Sequence, residues 1–314
     1  MDVVRGLDAL PLADEATVVT VGFFDGVHRG HQAVLGRAAT VAAQRGVPSV
    51  AVTFDRHPRE ILTPGREPRL ITTVERKAAI IAELGIDSLV VLGFTEELSR
   101  WPANEFLARV IRDGFHAVHV VIGANFTFGH RAAGTLATLV EEGPAYGVTA
   151  EGVALVDVDG RRVSSSSIRE ALANGDLAWP ERALGRRFVL DGEVVAGAGR
   201  GKGLGYPTAN LRTWPRLLLP GSGIYAGVAE HLGERHVAAI SVGTNPTFGS
   251  EPLHVEAYLL DYRGGELRGD PIAIEFWARL RDEERFDSPE ALSAAIADDV
   301  ERTRALVGGD GRLW

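Results

Sequence analysis

The sequence predicts an α/β domain built on a parallel sheet, followed by an antiparallel β-barrel that ends in a helix. Three observations carry this expectation. The chain has 314 residues, 45% of them hydrophobic and 24% charged, which is ordinary globular composition at more length than one compact core organises. Apolar β-rich runs alternate with helical patterns from Val18 to about Val153. Beyond residue 163 the strands follow one another across Gly- and Pro-rich turns, with no long helix between them, until a final helix.

In the first half the expected strands are Val18–Gly22, Ser49–Phe54, Ser88–Gly93 and Val118–Gly123. Helices are expected from about Gln32 to Arg45, from Thr73 to Leu84 with Ala78, Ile81 and Leu84 inward, and from Pro102 to Arg112. Gly22 and Gly123 close apolar strands at their C-terminal ends, where open α/β sheets bind ligands. Ser167 and Glu170 have capping-box spacing and predict a helix through about Leu184. Past a boundary near Gly185, short strands are expected at 188–190, 192–195, 225–229, 237–242 and 254–260. Ser288 and Pro289 open the last helix, whose expected buried stripe is Leu292, Ile296, Val300 and Leu306 or Val307.

Composition narrows the chemistry. The net charge of −9 disfavours nucleic acid and anionic membrane surfaces as partners, so a phosphate ligand must be held by local design. The absence of cysteine removes disulfides, thiolate metal sites and thiol nucleophiles. The acidic N-terminal segment does not read as a signal peptide, and no run of about 18 apolar residues could span a bilayer. A cytoplasmic protein is the expectation, with any self-association weak or transient. Lysine occurs only at Lys77 and Lys202, and the excess of arginine carries no mechanistic weight.

The segment Gly22-Phe-Phe-Asp-Gly-Val-His-Arg-Gly-His31 follows a strand and opens a helix. Paired histidines at a helix N-terminus, among glycines that permit close backbone approach, suit phosphate oxygens. The alternatives are a simple cap and a metal site through Asp25, His28 and His31, although no second His or carboxylate motif completes such a site. The string resembles the HxGH nucleotidyltransferases, and the stretch from Phe24 to Gln32 is similar to the adenylyltransferase half of bacterial bifunctional riboflavin kinase/FAD synthetases.

Three further blocks follow in that family's order: Thr53-Phe-Asp-Arg-His-Pro58, Gly123-Ala-Asn-Phe-Thr-Phe-Gly129 and Val163-Ser-Ser-Ser-Ser-Ile-Arg169. The resemblance implies a Rossmann-like domain that binds ATP through Gly22, Phe24, Asp25, Gly26, His28, His31, Asn125, Ser165, Ser166 and Arg169. It implies FMN contacts from Phe54, His57, Pro58, Phe126 and Phe128, with His28, His31 and Arg169 as catalytic groups. Taken alone, the four serines could equally be a solvated linker. Phe23 stands where many members have asparagine, Ser166 where they have threonine, and Thr135 where an acid often follows.

Gly197-Ala-Gly-Arg-Gly-Lys-Gly-Leu-Gly-Tyr-Pro-Thr-Ala-Asn210 alternates five glycines before a Pro-Thr-Ala-Asn tetrad. By composition it is either a phosphate-covering loop, with Arg200 and Lys202 adding charge, or a flexible turn. The tetrad resembles the riboflavin kinase signature. That resemblance implies a flavokinase barrel in which Gly199, Gly201, Lys202, Gly205, Pro207, Thr208 and Asn210 hold ATP, with Thr208 and Asn210 also organising Mg²⁺. It implies that Glu256 is the catalytic base assisted by Asn210, and that Glu256, Arg281 and Phe286 meet the flavin. Ala198 and Arg268 depart from the Asp and Tyr common there. ATP, riboflavin and FMN are the implied small-molecule partners, with FMN and FAD as substrates and products rather than prosthetic groups. Two rival expectations are a kinase with a degenerate first half and a flavin or nucleotide sensor without turnover.

Overall fold

The computed structural model describes residues 1–7, 15–197, 205–244 and 253–308. Its packing divides the chain into one unit of residues 1–69 and 73–165 and another of 70–72 and 166–314.

The first unit is a six-stranded sheet of β1 (Asp2–Arg5), β2 (Thr17–Val21), β3 (Ser49–Phe54), β4 (Ser88–Leu92), β5 (Ala117–Gly123) and β6 (Thr149–Val153). Every pairing is parallel and the order is β1-β4-β3-β2-β5-β6. The four expected strands are present, and β1 and β6 extend the sheet at its two edges. Successive strand residues serve opposite faces: Val18, Ala51 and Leu89 pack with α1 (Arg29–Arg45) and α3 (Val74–Glu83), whereas Val19, Val50 and Val90 pack on the other side. The strand order reverses between β2 and β5, so the chain leaves Gly22 and Gly123 on either side of a crevice.

Shorter helices are α2 (Arg59–Leu62), α4 (Glu96–Arg100), α5 (Ala103–Phe106) and α6 (Leu136–Glu142), the last three contributing Leu98, Phe106 and Leu139 to the core on the Val19 face. The helix expected to reach Arg112 continues beyond α5 as a π-helical turn over Leu107–Arg112. Thr135 caps α6 in a reciprocal capping box with Thr138, which gives this hydroxyl a local structural use. A two-stranded ribbon, β7 (Asp157–Val158) and β8 (Arg161–Arg162), precedes the serine cluster.

The single helix expected from Ser167 to Leu184 is two helices, α7 (Ser165–Ala173) and α8 (Ala178–Leu184). Gly175 takes a left-handed φ of 76°, and Asp176 Oδ1 accepts from the backbone N–H groups of Ala178 and Trp179, so the chain turns and restarts. Both helices pack with the second unit.

The second unit contains a closed barrel in the order β10-β13-β12-β11-β14-β9, antiparallel throughout. Its strands are β9 (Phe188–Val195), β10 (Ala209–Thr213), β11 (Gly223–His231), β12 (Glu234–Gly243), β13 (His254–Leu259) and β14 (Pro271–Arg281). The two runs expected at 188–190 and 192–195 are one strand, while β10 and β14 were not expected. In β14 the residues Ile272, Ile274 and Phe276 alternate inward, where Phe276 meets Tyr225 edge-on at 5.3 Å.

The last helix, α9 (Pro289–Gly308), starts where Ser288 Oγ accepts from Ala291 N. Its fully buried positions are Asp299, Thr303 and Val307; Leu292, Ile296 and Val300 are half-buried, and Leu306 is exposed. The expected apolar stripe is therefore rotated, because its inward centre is a carboxylate held by Arg281 of β14. Arg281 Nε and Nη2 donate to Asp299 at 2.7 to 3.1 Å. An Arg281→Met variant should lower stability by about 3 kcal/mol, since it strands a buried carboxylate; thermal unfolding of parent and variant checks this.

Candidate active sites

In the first unit the loop after β2 is built from an unusual backbone. Phe24, Gly26 and Val27 all have left-handed φ values, of 52°, 78° and 39°. Gly22 is required beside them, because a Cβ there would lie 2.6 Å from the Phe24 ring. The turn buries Phe24, Asp25 and Val27 and delivers His28 to the N-cap of α1.

His28 Nδ1 accepts the backbone N–H of His31 at 3.3 Å, which fixes the proton of neutral His28 on Nε2. The two imidazoles stack with centroids 3.6 Å apart, and Phe24 meets His31 edge-on at 5.3 Å. His31 as a residue is half-buried, yet its Nδ1 is closed from solvent and has no hydrogen-bond partner among the described residues. Burial, then the charges of His28 and Lys77, hold the His31 imidazole well below its usual pKa, so it is neutral at pH 7. The result is a stacked pair of imidazoles at a helix N-terminus, suited to phosphate oxygen. No group of three His, Asp or Glu able to hold a metal exists among the described residues, so the metal alternative for Asp25, His28 and His31 finds no support there.

Ser165 Oγ donates to the carbonyl of Asp25 at 3.0 Å and so ties the end of the first unit to this loop. Ser166 and Arg169, exposed and half-buried, lie in the first turns of α7. The serines thus open a helix instead of forming a linker. Asn125 sits exposed just beyond β5, close enough to contact a Cβ at Gly123.

Beside the loop is a cavity of about 600 Å³ with Phe23, Phe54, Pro58, Phe94, Trp101, Phe106, Phe126 and Phe128 among its walls. Phe126 and Phe128 lie nearly parallel at 6.2 Å, and Phe54 meets Phe94 edge-on at 5.4 Å. The cavity can take a large planar aromatic ring. Of the expected residues, Phe54, Pro58, Phe126 and Phe128 line it, whereas His57 is not among its walls and packs edge-on against Phe23 at 4.9 Å. Phe94 and Trp101 were not singled out from the sequence, since nothing local distinguishes an aromatic wall from core.

Lys77 was also passed over. It is 2% exposed, on the inward face of α3, and its Nζ donates to the carbonyl of Phe23 at 2.6 Å and to Thr53 Oγ1 at 3.1 Å. Burial brings the ammonium down to about 8, with Asp25 acting in the opposite direction. The available signal was its position four residues before Ile81, on the buried stripe of the helix.

In the second unit β10 and β13 bring the expected kinase residues together. Asn210 and Glu256 are direct cross-strand partners, and Thr208 Oγ1 donates to Glu256 Oε2 at 2.8 Å. A Cβ at Gly197 would collide with the Asn210 amide, so that glycine admits the side chain. His254 Nε2 lies 3.1 Å from Glu256 Oε1. His254 had been read only as the start of a strand, although its i,i+2 spacing from Glu256 puts both on one face.

Gly205 has a left-handed φ of 87° and Pro207 is exposed; Gly199, Gly201 and Lys202 lie outside the described residues, as does Ala198. Arg281, expected at a flavin, is gripped by Asp299, with its guanidinium 5.6 Å from the Phe286 ring. Both oxygens of Glu283 accept from Thr244 N, which anchors the end of β12.

Known proteins are similar to this chain along its length. Residues 10–167 match the FAD synthetase family and residues 184–307 the riboflavin kinase family. The chain is 39% identical to the bifunctional riboflavin kinase/FMN adenylyltransferase of Pseudomonas fluorescens over 98% of both chains. It is 35% identical to the Bacillus subtilis protein of the same name over 90% of both, and 32% identical to that of Escherichia coli over 98% of both. A crystal structure described as a macrolide-efflux protein from Streptococcus pneumoniae superposes with a TM-score of 0.86 at 29% identity, covering 97% of this chain and 99% of that one. Among the described residues no helix is long and apolar enough to cross a membrane.

Proposed function

We infer the chemistry of this chain from its family, for it belongs to the bifunctional riboflavin kinase/FMN adenylyltransferases. It phosphorylates riboflavin with ATP to give FMN and ADP, then joins FMN to the adenylyl group of a second ATP to give FAD and pyrophosphate. The observation that carries this reading is the presence of both family matches in one chain, each spanning one of the two candidate sites. We assign residues 1–184 to adenylyl transfer and 185–314 to the kinase, with the border at the left-handed cap Gly185.

For the kinase, we assign Glu256 as the general base. Its carboxylate accepts the proton of the ribityl 5′-hydroxyl as that oxygen attacks the γ-phosphorus, and ADP departs. The Thr208 and His254 hydrogen bonds hold the carboxylate in one orientation. The donor set fits Mg²⁺: Thr208 gives its hydroxyl proton to Glu256 and keeps oxygen lone pairs for a hard cation, and the side-chain carbonyl of Asn210, across from Glu256, would supply a second oxygen. Bound there with ATP, Mg²⁺ would neutralise charge on the phosphates.

For adenylyl transfer, a phosphate oxygen of FMN attacks the α-phosphorus of ATP and pyrophosphate leaves. His28 and His31 donate to the phosphate oxygens as charge gathers on them, and Arg169 adds a fixed cation. Gly22, Phe24, Asp25 and Gly26 shape the loop, while Asn125, Ser165 and Ser166 complete the ATP contacts. The aromatic cavity takes the isoalloxazine ring. Phe126→Ala should raise the KM for FMN about tenfold with kcat little changed, because it removes stacking common to ground and transition states; steady-state FAD formation at varied FMN checks this. We propose a cytoplasmic enzyme that acts on small molecules, since the net charge of −9 disfavours nucleic acid and anionic membranes as partners.

Pyrophosphate release tests the adenylyl-transfer half directly. Purified protein given FMN and MgATP without riboflavin should release pyrophosphate and form FAD in equal amounts. Phosphorylation of riboflavin without any pyrophosphate from FMN would reduce the chain to a kinase.

A further inference from the structure

Lys77 is a buried cation for which the two reactions require no role. Its ammonium, the Thr53 hydroxyl and the Phe23 carbonyl form a closed triangle: Lys77 Nζ donates to both oxygens, and Thr53 Oγ1 donates to Phe23 O at 3.0 Å. The same ammonium lies 4.4 Å from the centre of the Phe23 ring. One side chain of α3 therefore holds Phe23 by its backbone and by its ring. Phe23 immediately precedes the left-handed turn Phe24–Val27 and is also a wall of the aromatic cavity. Left-handed φ at Phe24 and Val27 is costly for residues with a Cβ, and persists only where neighbours enforce it.

We propose that Lys77 is a positioning residue for adenylyl transfer, fixing Phe23 so that the strained turn beyond it presents His28 and His31 to phosphate. The inference rests on the assignment of adenylyl transfer to this loop. Lys77 acts through two routes. By hydrogen bonding it sets where the turn begins, and a displacement of about 1 Å in such groups can reduce a rate by roughly 10²-fold. By charge it disfavours protonation of His31, adding to the effect of burial. The other titratable groups at this point are Asp25, whose charge favours the Lys77 ammonium, and His28, stacked on His31.

The test uses Lys77→Met and Lys77→Gln in the full chain, with riboflavin phosphorylation by the same preparations as the control for folding. Lys77→Met should lower kcat/KM for FAD formation from FMN by roughly 10²-fold and leave the kinase rate unchanged. Lys77→Gln, which keeps a donor for the Phe23 carbonyl, should recover part of that loss. In both variants the acid limb of the FAD-forming pH profile should move to higher pH, because His31 no longer feels the ammonium. The proposal is overturned if FAD formation is unaffected, if Gln rescues nothing, or if activity falls with the acid limb unmoved, as a purely structural role would give. Failure of the parent protein to form FAD would instead refute the assignment of the loop.

Discussion

Glu256→Ala is expected to stop riboflavin phosphorylation while FMN adenylylation continues at the parental rate. The expected loss in kinase kcat is about 10²- to 10⁴-fold, the range that a positioned general base supplies. Glu256 is suited to that role because its carboxylate is oriented from two sides, by Thr208 at 2.8 Å and His254 at 3.1 Å, and lies across from Asn210 on the neighbouring strand. Glu256→Gln sharpens the test. The amide oxygen can still accept from Thr208, so packing survives while the basic oxygen is lost. A Gln variant as inactive as Ala, with an unchanged unfolding temperature, identifies proton acceptance as the missing function. Steady-state ADP formation with riboflavin measures both variants.

His28→Ala is expected to have the mirror-image effect, reducing FAD formation from FMN by about 10²- to 10³-fold with the kinase intact. His28 has two uses in the loop. Its Nδ1 caps α1 by accepting from His31 N, and its Nε2 is the ring nitrogen proposed to meet phosphate. Loss of the cap alone costs about 1 kcal/mol of stability, too little to explain such a fall in rate. His28→Asn separates the two uses, since asparagine caps helices well but is too short to place a donor where Nε2 stands. The account expects Asn to restore the unfolding temperature and not the rate. Pyrophosphate release from FMN and ATP measures the rate, and thermal unfolding measures the cap.

Both sites were legible in the sequence to the extent that their parts are local. Gly22–His31 is one strand-to-helix turn, and glycine spacing and paired histidines announce it without tertiary information. The Pro207–Asn210 tetrad is similarly compact. What escaped notice depends on contacts distant in sequence. Asp299 on α9 was hidden because an acidic residue within an amphipathic helix reads as solvent-facing until Arg281, eighteen residues earlier, is seen beside it. That pairing also occupies an arginine expected at the flavin.

Lys77 illustrates the same limit in the first unit. A lysine on a helix is ordinarily solvated, and only the packing of α3 against the loop after β2 shows that its partners are Phe23 and Thr53. β14 was overlooked for a different reason. Its alternation of Ile272, Ile274 and Phe276 is a clear period-2 signal, but Glu275 among them and Arg279 and Arg281 beyond dilute the apolar run. Glycines fared better as markers. Gly22 and Gly197 each leave room for a specific neighbour, the Phe24 ring and the Asn210 amide.

The measurement that bears most directly on two sites in one chain is chromatographic separation of flavins after incubation of riboflavin with MgATP and purified protein, run beside Glu256→Ala and His28→Ala. The account predicts FMN followed by FAD from the parent, unreacted riboflavin from Glu256→Ala until FMN is supplied, and accumulated FMN from His28→Ala. Failure of Glu256→Ala to form FAD when FMN is supplied, failure of His28→Ala to form FMN, or FAD formation undiminished in His28→Ala, would contradict it.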